Sequence, residues 1–365
     1  MKITNIVNYI SRTHHTLFVK VETDEGVCGY GECSPMDYDS VCHIIQQRIK
    51  PKLIGKSPFD TEMIEQLSVT QNYKFSGQLL AIAFSGVEIA LWDLKGKYLR
   101  QPVYNLLGGK YRDKIEFYIS SMTRYMGFEQ ECEKISKALK SFGTRAAKIK
   151  VGARFGNSTD IVDLAADTLK VKAVRAVIGS NCKLMVDGNG SYTYFQAIQL
   201  FDRIKEYDIY HYEEPCPYYD VEAYVKLAQA LPVPINWGEQ DWNLFTFRDF
   251  ISRGACHICA ADVTKCGGFG SAKRVAALCR AFGVQYGPHN TSRGLGFAAN
   301  LHLAASTPEC NYYQEYNIEP GTAQAEFLKE EFKVQDGCII VPEAPGLGVE
   351  MDEEKMEKIM EIIGK

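Results

Sequence analysis

The sequence has no excess of charge of one sign and no long hydrophobic run. Its 365 residues include 41 lysines and arginines and 45 aspartates and glutamates, which gives a formal net charge of −4. No tract rich in lysine or arginine is present, so we expect no nucleic-acid partner. The chain also lacks a run of about 18 apolar residues and an N-terminal signal-peptide pattern. We therefore expect a cytoplasmic protein that does not cross a membrane.

The sequence also lacks the paired cysteine or histidine spacings of a zinc site. Its 12 cysteines are scattered, and several lie inside apolar segments, such as Cys182 and Cys279. Cys256 and Cys259 have the CxxC spacing, but no second pair follows at the distance that a zinc site requires. We interpret the cysteines as buried free thiols in a reducing compartment.

The chain is long enough for more than one domain, and 46% of its residues are hydrophobic. Residues 1–112 contain two β-rich runs, at 16–22 and 27–32, joined by Asp24-Glu25-Gly26, which is a hairpin signal. An amphipathic helix is predicted over about 79–98. Strands followed by helices predict a small α+β domain here.

Residues 113–325 alternate short apolar runs with longer amphipathic stretches. This alternation is typical of parallel βα units, and at this length it predicts a (β/α)-barrel. Residues 326–365 are expected to return to the first domain. The eight apolar runs lie at 115–120, 147–151, 183–186, 209–212, 234–237, 258–261, 284–287 and 311–314.

An ionisable residue stands at the end of seven of the eight predicted strands. From the second of them onward, successive members are 23 to 27 residues apart, which is one βα unit. A carboxylate after a strand can simply cap the next helix. Seven groups in register instead predict a functional site at the barrel mouth, where strand ends converge. The seven are Lys150, Asp187, Glu213, Glu239, Asp262, His289 and Glu315.

Three neighbouring members of this series, Asp187, Glu213 and Glu239, supply hard oxygen ligands without histidine or cysteine. That donor set favours Mg²⁺ over zinc or copper. Lys148 and Lys150 are two residues apart on one predicted strand, so their side chains lie on the same face of it. Two ammonium groups beside a cation lower each other's basicity, so one of them is suited to act as a base.

His289 is predicted on the seventh strand, across the barrel from the two lysines. Asp262 ends the sixth strand, where its carboxylate would fix the tautomer of the imidazole. His289 is therefore a second candidate base. Glu315, if protonated among the other anions, would donate a hydrogen bond to the substrate.

These residues resemble the enolase superfamily, mandelate racemase subgroup, over essentially the whole chain. The motifs that carry the resemblance are Lys148-Ile149-Lys150, Asp187-Gly188-Asn189, Glu213-Glu214-Pro215, Gly238-Glu239, Asp262 before Gly267-Gly268, Pro288-His289, Gly29-Tyr30-Gly31-Glu32, Ala90-Leu91-Trp92-Asp93-Leu94, Leu107-Gly108-Gly109 and Pro345-Gly346-Leu347-Gly348.

The resemblance implies an α+β cap over a modified (β/α)7β barrel, with Mg²⁺ on Asp187, Glu213 and Glu239. It implies that Lys150 and His289, the latter paired with Asp262, act on opposite faces of the substrate α-carbon. It also implies a homo-oligomer, either a dimer or an octamer. The residues that it places against a small carboxylate substrate are Lys148, Asn189 and Glu315.

The expected reaction is abstraction of an α-proton followed by β-elimination of water from an aldonic or aldaric acid. Both bases are present, so racemisation or epimerisation of a 2-hydroxy acid stays open. A Schiff-base aldolase and a non-enzymatic ligand-binding barrel are further alternatives. Substrate identity is expected to depend on the cap loops 11–15 and 34–38, where Arg12, His14 and His15 are candidate contacts.

Overall fold

A computed structural model describes residues 1–124, 126–153, 155, 161–319 and 323–365. The chain begins with an antiparallel sheet whose strands are β1 (Ile3–Ser11), β2 (Thr16–Thr23) and β3 (Cys28–Cys33). The pairing of β2 with β3 confirms the predicted hairpin. The sequence pattern missed β1, because its residues from Ile6 to Ser11 are all buried and show no polar alternation.

Helices cover one face of this sheet. The longest is the predicted one at 79–98, which is confirmed, and Gly86 on it allows close approach to Gly31 of β3. A Cβ atom at Gly31 would collide with the backbone of this helix, so glycine is required there. The cap helices are α1 (Tyr38–Ile44), α2 (Lys50–Leu53), α3 (Thr61–Ser68), α4 (Gln78–Leu99) and α5 (Val103–Leu106).

Within the described residues, eight parallel strands separated by seven helices follow, which confirms the predicted (β/α)7β barrel. The strands are β4 (Lys114–Ser121), β5 (Ala146–Lys150), β6 (Lys183–Asp187), β7 (Ile209–Glu213), β8 (Ile235–Trp237), β9 (Ile258–Cys259), β10 (Gln285–Tyr286) and β11 (Gln314–Asn317). The helices are α6 (Phe128–Phe142), α7 (Leu164–Ile178), α8 (Tyr194–Ile204), α9 (Val221–Ala230), α10 (Leu244–Ser252), α11 (Gly268–Phe282) and α12 (Leu295–Ser306).

The position predicted for the eighth barrel strand, 311–314, is wrong. The strand β11 begins at Gln314, so Glu315 lies within it rather than after it. Tyr312 and Tyr313 gave the segment its β-rich composition, but they precede the strand and pack around Tyr210. Aromatic residues are common in strands because they pack well on the surface of a sheet, but here the two tyrosines pack on Tyr210 from a position just before the strand.

The C-terminal segment contributes strands to both sheets rather than to the cap alone. It contains β12 (Val334–Gln335), β13 (Cys338–Ile340), α13 (Glu353–Ile359) and β14 (Glu361–Ile363). The strand β14 pairs with β1 in the cap. In contrast, β13 pairs with the first residues of β4. These residues are available to β13 because β11 pairs with β4 only from Phe117 onward.

Buried carboxylates join the cap to the barrel. Glu32, at the end of β3, accepts hydrogen bonds from Ser292 Oγ and Gly296 N, at 2.9 and 2.8 Å. Glu88 of α4 accepts from the backbone at the start of α11. Burial raises the pKa of each to about 7. These bonds fix the cap over the C-terminal ends of the barrel strands.

All the cysteines are free and eleven are buried, which confirms the expectation of buried thiols. Within the described residues, none of the helices has the length and apolar character needed to span a membrane.

Candidate active site

Three carboxylates meet at the rim where β6, β7 and β8 end. Asp187 and Glu213 are the last residues of β6 and β7, and they are in register with each other. Glu239 follows β8 and Gly238, whose φ of 122° turns the chain out of the strand. All three are buried, and an oxygen of each lies within 4.8 Å of an oxygen of the others. The sequence-predicted ligands therefore form one cluster.

The two lysines of β5 lie beside this cluster and are buried. Lys150, in register with Asp187, contacts its carboxylate. The Lys148 Nζ atom contacts Glu213 and lies 2.8 Å from Glu315 Oε1. Burial opposes the charge of Lys148, but the surrounding carboxylates outweigh burial and hold its pKa well above the usual range. The expected lowering of basicity by a neighbouring ammonium therefore does not describe Lys148.

His289 and Asp262 form the predicted pair on the far side of the barrel mouth. The distance from His289 Nδ1 to Asp262 Oδ2 is 2.7 Å. Asp262 is itself held by Thr264, whose N and Oγ1 atoms both donate to Oδ1 at 2.7 Å. His289 Nε2 faces inward, 3.3 Å from Glu239 Oε2. Burial opposes ionisation of Asp262, but the hydrogen bond and charge of His289 lower its pKa.

The surroundings of Glu315 favour its carboxylate form over the protonated hydrogen-bond donor that the sequence suggested. Burial alone would raise its pKa, but the charges of Lys148 and His289 lower it to about 2. Its Oε2 accepts a hydrogen bond from the backbone N of Asn290 at 3.2 Å. The sequence indicated the neighbouring anions but not how closely Lys148 approaches them.

The charges at the barrel mouth fit a divalent cation. Six buried carboxyl groups lie among three buried lysines and two buried histidines, His211 and His289. Burial and the neighbouring carboxylates hold the pKa of Glu213 well above its usual range. Among the described residues, Glu239 Oε2 accepts no hydrogen bond, although His289 Nε2 lies 3.3 Å from it. A cation with hard oxygen preference would relieve this repulsion. The carboxyl groups are Asp187, Glu213, Glu214, Glu239, Asp262 and Glu315.

Two residues just past the strand ends have left-handed backbone conformations. Asn189 has φ of 42° and Glu214 has φ of 33°, which non-glycine residues adopt only at a cost. Asn189 donates from its backbone N to Asp187 Oδ1 at 2.9 Å, and its Nδ2 lies 3.5 Å from Glu239 Oε1. Asn189 therefore contacts two members of the carboxylate cluster, one through its backbone amide and one through its side-chain amide.

A cavity of about 490 Å³ opens above the cluster, between the cap and the barrel mouth. The cap lines it with Ser34, Pro35, Met36 and Gln78. Of the two cap loops expected to contact the substrate, only 34–38 therefore borders this cavity.

Arg12, His14 and His15 do not line the cavity. The guanidinium of Arg12 pairs with Asp39 at 2.8 Å and with Glu361 at 3.2 Å, on the surface. His14 contacts Ser11 and stacks edge-on against Phe327. His15 is exposed. The sequence offered these residues as polar groups in a loop, but their partners lie within the cap and the C-terminal segment.

The sequence interpretation missed several polar residues that line the cavity, notably Arg124, Gln240 and Lys265. Lys265, three residues beyond Asp262, is buried at the cavity wall. Arg124 lies three residues past β4, the one barrel strand for which no ionisable strand-end residue was identified. A search that extended a few residues beyond each strand end would have found both.

Comparisons with known proteins identify the family. The model for the mandelate racemase / muconate lactonizing enzyme N-terminal domain matches residues 7–108, and the model for the enolase C-terminal domain-like family matches residues 130–355. Among relatives, a D-galactarolactone cycloisomerase of Agrobacterium fabrum is 31% identical, over 94% of this chain and 91% of its own length. A D-galactonate dehydratase of Cronobacter sakazakii is 30% identical, over 98% of this chain and 94% of its own length.

Solved structures agree in fold over the full chain. A mandelate racemase/muconate lactonizing protein of Paracoccus denitrificans, complexed with magnesium, is 27% identical with a TM-score of 0.92, covering 99% of both chains. The 3,6-anhydro-D-galactonate cycloisomerase of Zobellia galactanivorans is 29% identical with a TM-score of 0.90, covering 99% of this chain and 100% of its own. The chain is therefore a member of the mandelate racemase/muconate lactonizing enzyme family of the enolase superfamily.

Proposed function

We propose that the protein is a Mg²⁺-dependent enzyme that removes the α-proton of an acid sugar and eliminates water to give a 2-keto-3-deoxy acid. The observation that carries this proposal is the buried cluster of three carboxylates with Lys150 on one side and the His289–Asp262 pair on the other. Relatives named as galactonate and arabinonate dehydratases support it.

We assign Mg²⁺ to Asp187, Glu213 and Glu239. Their oxygen-only donor set and mutual approach within 4.8 Å suit that ion. Bound there, the ion would act as a Lewis acid toward the substrate carboxylate and stabilise negative charge on it.

The residues around the cluster then have distinct tasks. Lys148, buried and cationic, contacts the substrate carboxylate and stabilises the charge that develops there. Lys150 or His289 takes the α-proton, and the electrons of the broken C–H bond pass to the carboxylate. The C–O bond at the β-carbon then breaks, and the hydroxyl leaves with a proton from His289. The resulting enol gains a proton at carbon and loses the proton of its hydroxyl group, which gives the 2-keto acid.

Asp262 and Glu315 act through their partners. Asp262 holds Nδ1 of His289 and leaves Nε2 directed into the cavity. Glu315, being ionised, positions the ammonium of Lys148 and adds to the field that keeps it charged. Asn189, which contacts two of the carboxylates, supports the cluster and borders the substrate.

Racemisation or epimerisation is a second candidate reaction. The observation that favours it is the presence of a base on each side of the cavity, since one can remove a proton and the other can return it. Relatives named as cycloisomerases show that isomerising chemistry occurs in the family.

A panel of aldonic and aldaric acids with Mg²⁺ would test the proposal. We expect one of them to yield a 2-keto acid, detected as its semicarbazone, and activity to disappear with EDTA. Recovered substrate that carries solvent deuterium without any keto acid would favour epimerisation. Activity that survives EDTA and is trapped by borohydride would instead indicate a Schiff-base aldolase. Failure to bind Mg²⁺ in calorimetry would favour a non-enzymatic barrel.

We also propose a homo-oligomer, either a dimer or an octamer, in the cytoplasm. The oligomer rests on the family, and the location is supported by the free, buried cysteines, which suit a reducing compartment. Size-exclusion chromatography with light scattering would test the oligomer, and cell fractionation would test the location.

A further inference from the structure

Arg124 holds one edge of its guanidinium against the barrel mouth. Its Nε atom donates to the carbonyl of Gly152 at 3.1 Å, and its Nη2 donates to Asn189 Oδ1 at 2.8 Å. The side chain is partly buried and lines the cavity. These two bonds fix the plane of the guanidinium and leave its Nη1 group and one Nη2 hydrogen free of them.

In the described part of the chain, Arg124 differs from the other basic side chains of the cavity in having no carboxylate beside it. Lys150 contacts Asp187, and His289 contacts Asp262. Lys265 lies near Glu214 and Glu239, and its charge favours the ionised form of each, although burial still holds the pKa of Glu214 well above its usual range.

Among the residues that the structure describes, no carboxylate oxygen lies within 4.0 Å of the Arg124 guanidinium. Arg124 lies near Lys170, whose pKa is lowered chiefly by burial and further by Arg124, and Lys170 is itself paired with Glu131 at 2.8 Å. A partly desolvated cation without a counter-ion is costly, so this position favours an anionic ligand.

The free edge of Arg124 determines which group it can recognise. A guanidinium only donates hydrogen bonds, and its planar fork matches the two oxygens of a carboxylate. A hydroxyl group offers a single oxygen, so it would leave some of the N–H donors of the guanidinium without an acceptor. The geometry therefore favours a carboxylate over a hydroxymethyl group.

The metal cluster and Arg124 border the same cavity and are linked through Asn189. Asn189 lies between them, with its Oδ1 on Arg124 and its Nδ2 directed toward Glu239. One amide group and two hydrogen bonds thus separate the guanidinium from the cluster. A six-carbon chain with one carboxylate at the cluster would extend into the cavity that Arg124 lines.

From these observations we infer that Arg124 binds the distal carboxylate of a dicarboxylic sugar acid. The preferred substrate class is then an aldarate, or its monolactone, rather than an aldonate. This inference rests on the proposed function, because that proposal places the first carboxylate at the metal cluster.

Paired ligands that differ only at C6 would test it: galactarate against galactonate, and glucarate against gluconate. Calorimetry with Mg²⁺ would compare the wild type, Arg124→Gln and Arg124→Lys, with circular dichroism to check folding. The matched control is Arg12→Gln, which removes a surface arginine outside the cavity.

We expect the wild type to bind one hexarate roughly 10- to 100-fold more tightly than its hexonate, the usual gain from a hydrogen bond to a charged group. Arg124→Gln should reduce that preference to less than about threefold, Arg124→Lys should retain part of it, and Arg12→Gln should retain all of it. In turnover, Arg124→Gln should raise KM for the hexarate with little change in kcat, because the distal contact is equal in ground and transition states.

Three outcomes would overturn the inference: equal binding of hexarate and hexonate by the wild type, a preference that persists in Arg124→Gln, or no binding of any hexarate. The proposed function fails separately. If the preference depends on Arg124 but no acid shows keto-acid formation or α-proton exchange, the anion site stands and the dehydratase does not. If hexonates are turned over and substitution of Arg124 has no effect on that turnover, the dehydratase stands and the anion site does not.

Discussion

Replacing Lys150 by methionine should change proton abstraction and Mg²⁺ affinity in opposite directions. The substitution keeps the length of the side chain but removes the ammonium that contacts Asp187. We expect α-proton exchange and turnover to fall by about 10²- to 10⁴-fold, the usual contribution of a general base. We also expect Mg²⁺ to bind more tightly, because a cation that competes for the same carboxylate is gone.

The size of the second effect follows from charges at the barrel mouth. Two unit charges 4 Å apart interact by about 4 kcal/mol at an effective dielectric constant of 20. A divalent ion on Asp187 would be repelled at least as strongly by the ammonium of Lys150 at that distance. Water and movement of the lysine side chain reduce this figure, so a gain of roughly tenfold in Mg²⁺ affinity is a conservative expectation.

Isothermal titration with Mg²⁺ would measure the affinity, and proton exchange in D₂O would follow the chemistry. The matched control is Lys95→Met, which removes a buried lysine of α4 that lies in the cap and bonds to Thr61. That variant should leave Mg²⁺ affinity unchanged. Weaker Mg²⁺ binding by Lys150→Met would refute the electrostatic reasoning, and full proton exchange would refute the assignment of Lys150 as a base.

Three further predictions test the other parts of the site. Glu239→Gln should weaken Mg²⁺ binding by more than the roughly 10- to 100-fold that loss of an outer-shell partner costs, and calorimetry showing normal affinity would exclude Glu239 as a ligand. Asp262→Asn should slow exchange on the His289 face by roughly 10²- to 10⁴-fold while the Lys150 face persists; equal loss on both faces, measured with each enantiomer in D₂O, would contradict it. Because burial raises the pKa of Glu88 to about 7 in the folded protein, its contribution to stability is complete below about pH 4.5 and is lost as the pH rises through 7. Urea unfolding should therefore show that wild-type stability falls more than that of Glu88→Gln between pH 5 and 8, by up to about 3 kcal/mol, and equal slopes would show that the pKa is not raised.

The sequence predicted the parts of this protein that repeat. Barrel strands recur once per βα unit, so Asp187, Glu213 and Glu239 could be placed on one rim from their spacing alone. The pairing of His289 with Asp262 followed from the same register. Periodicity worked here because each strand ends at the same level of the barrel.

Features without a period could not be predicted in the same way. Arg124 lies in a loop, and its direction depends on the carbonyl of Gly152 and the amide of Asn189, which are distant in sequence. The ionised state of Glu315 depends on the approach of Lys148, which no spacing reveals. The strand β1 was missed because burial on both faces removes the alternation by which an exposed strand is recognised.

The pairing of β14 with β1 has a consequence for synthesis on the ribosome. The strands β1, β2 and β3 are made first, but the edge at Asn8–Ile10 gains its partner only after the whole barrel has been translated. Until then that edge exposes unpaired backbone groups, which favour association with other chains. A nascent chain that pauses within the barrel would therefore depend on chaperones, and a tag that obstructs Glu361–Ile363 would prolong the same vulnerable interval.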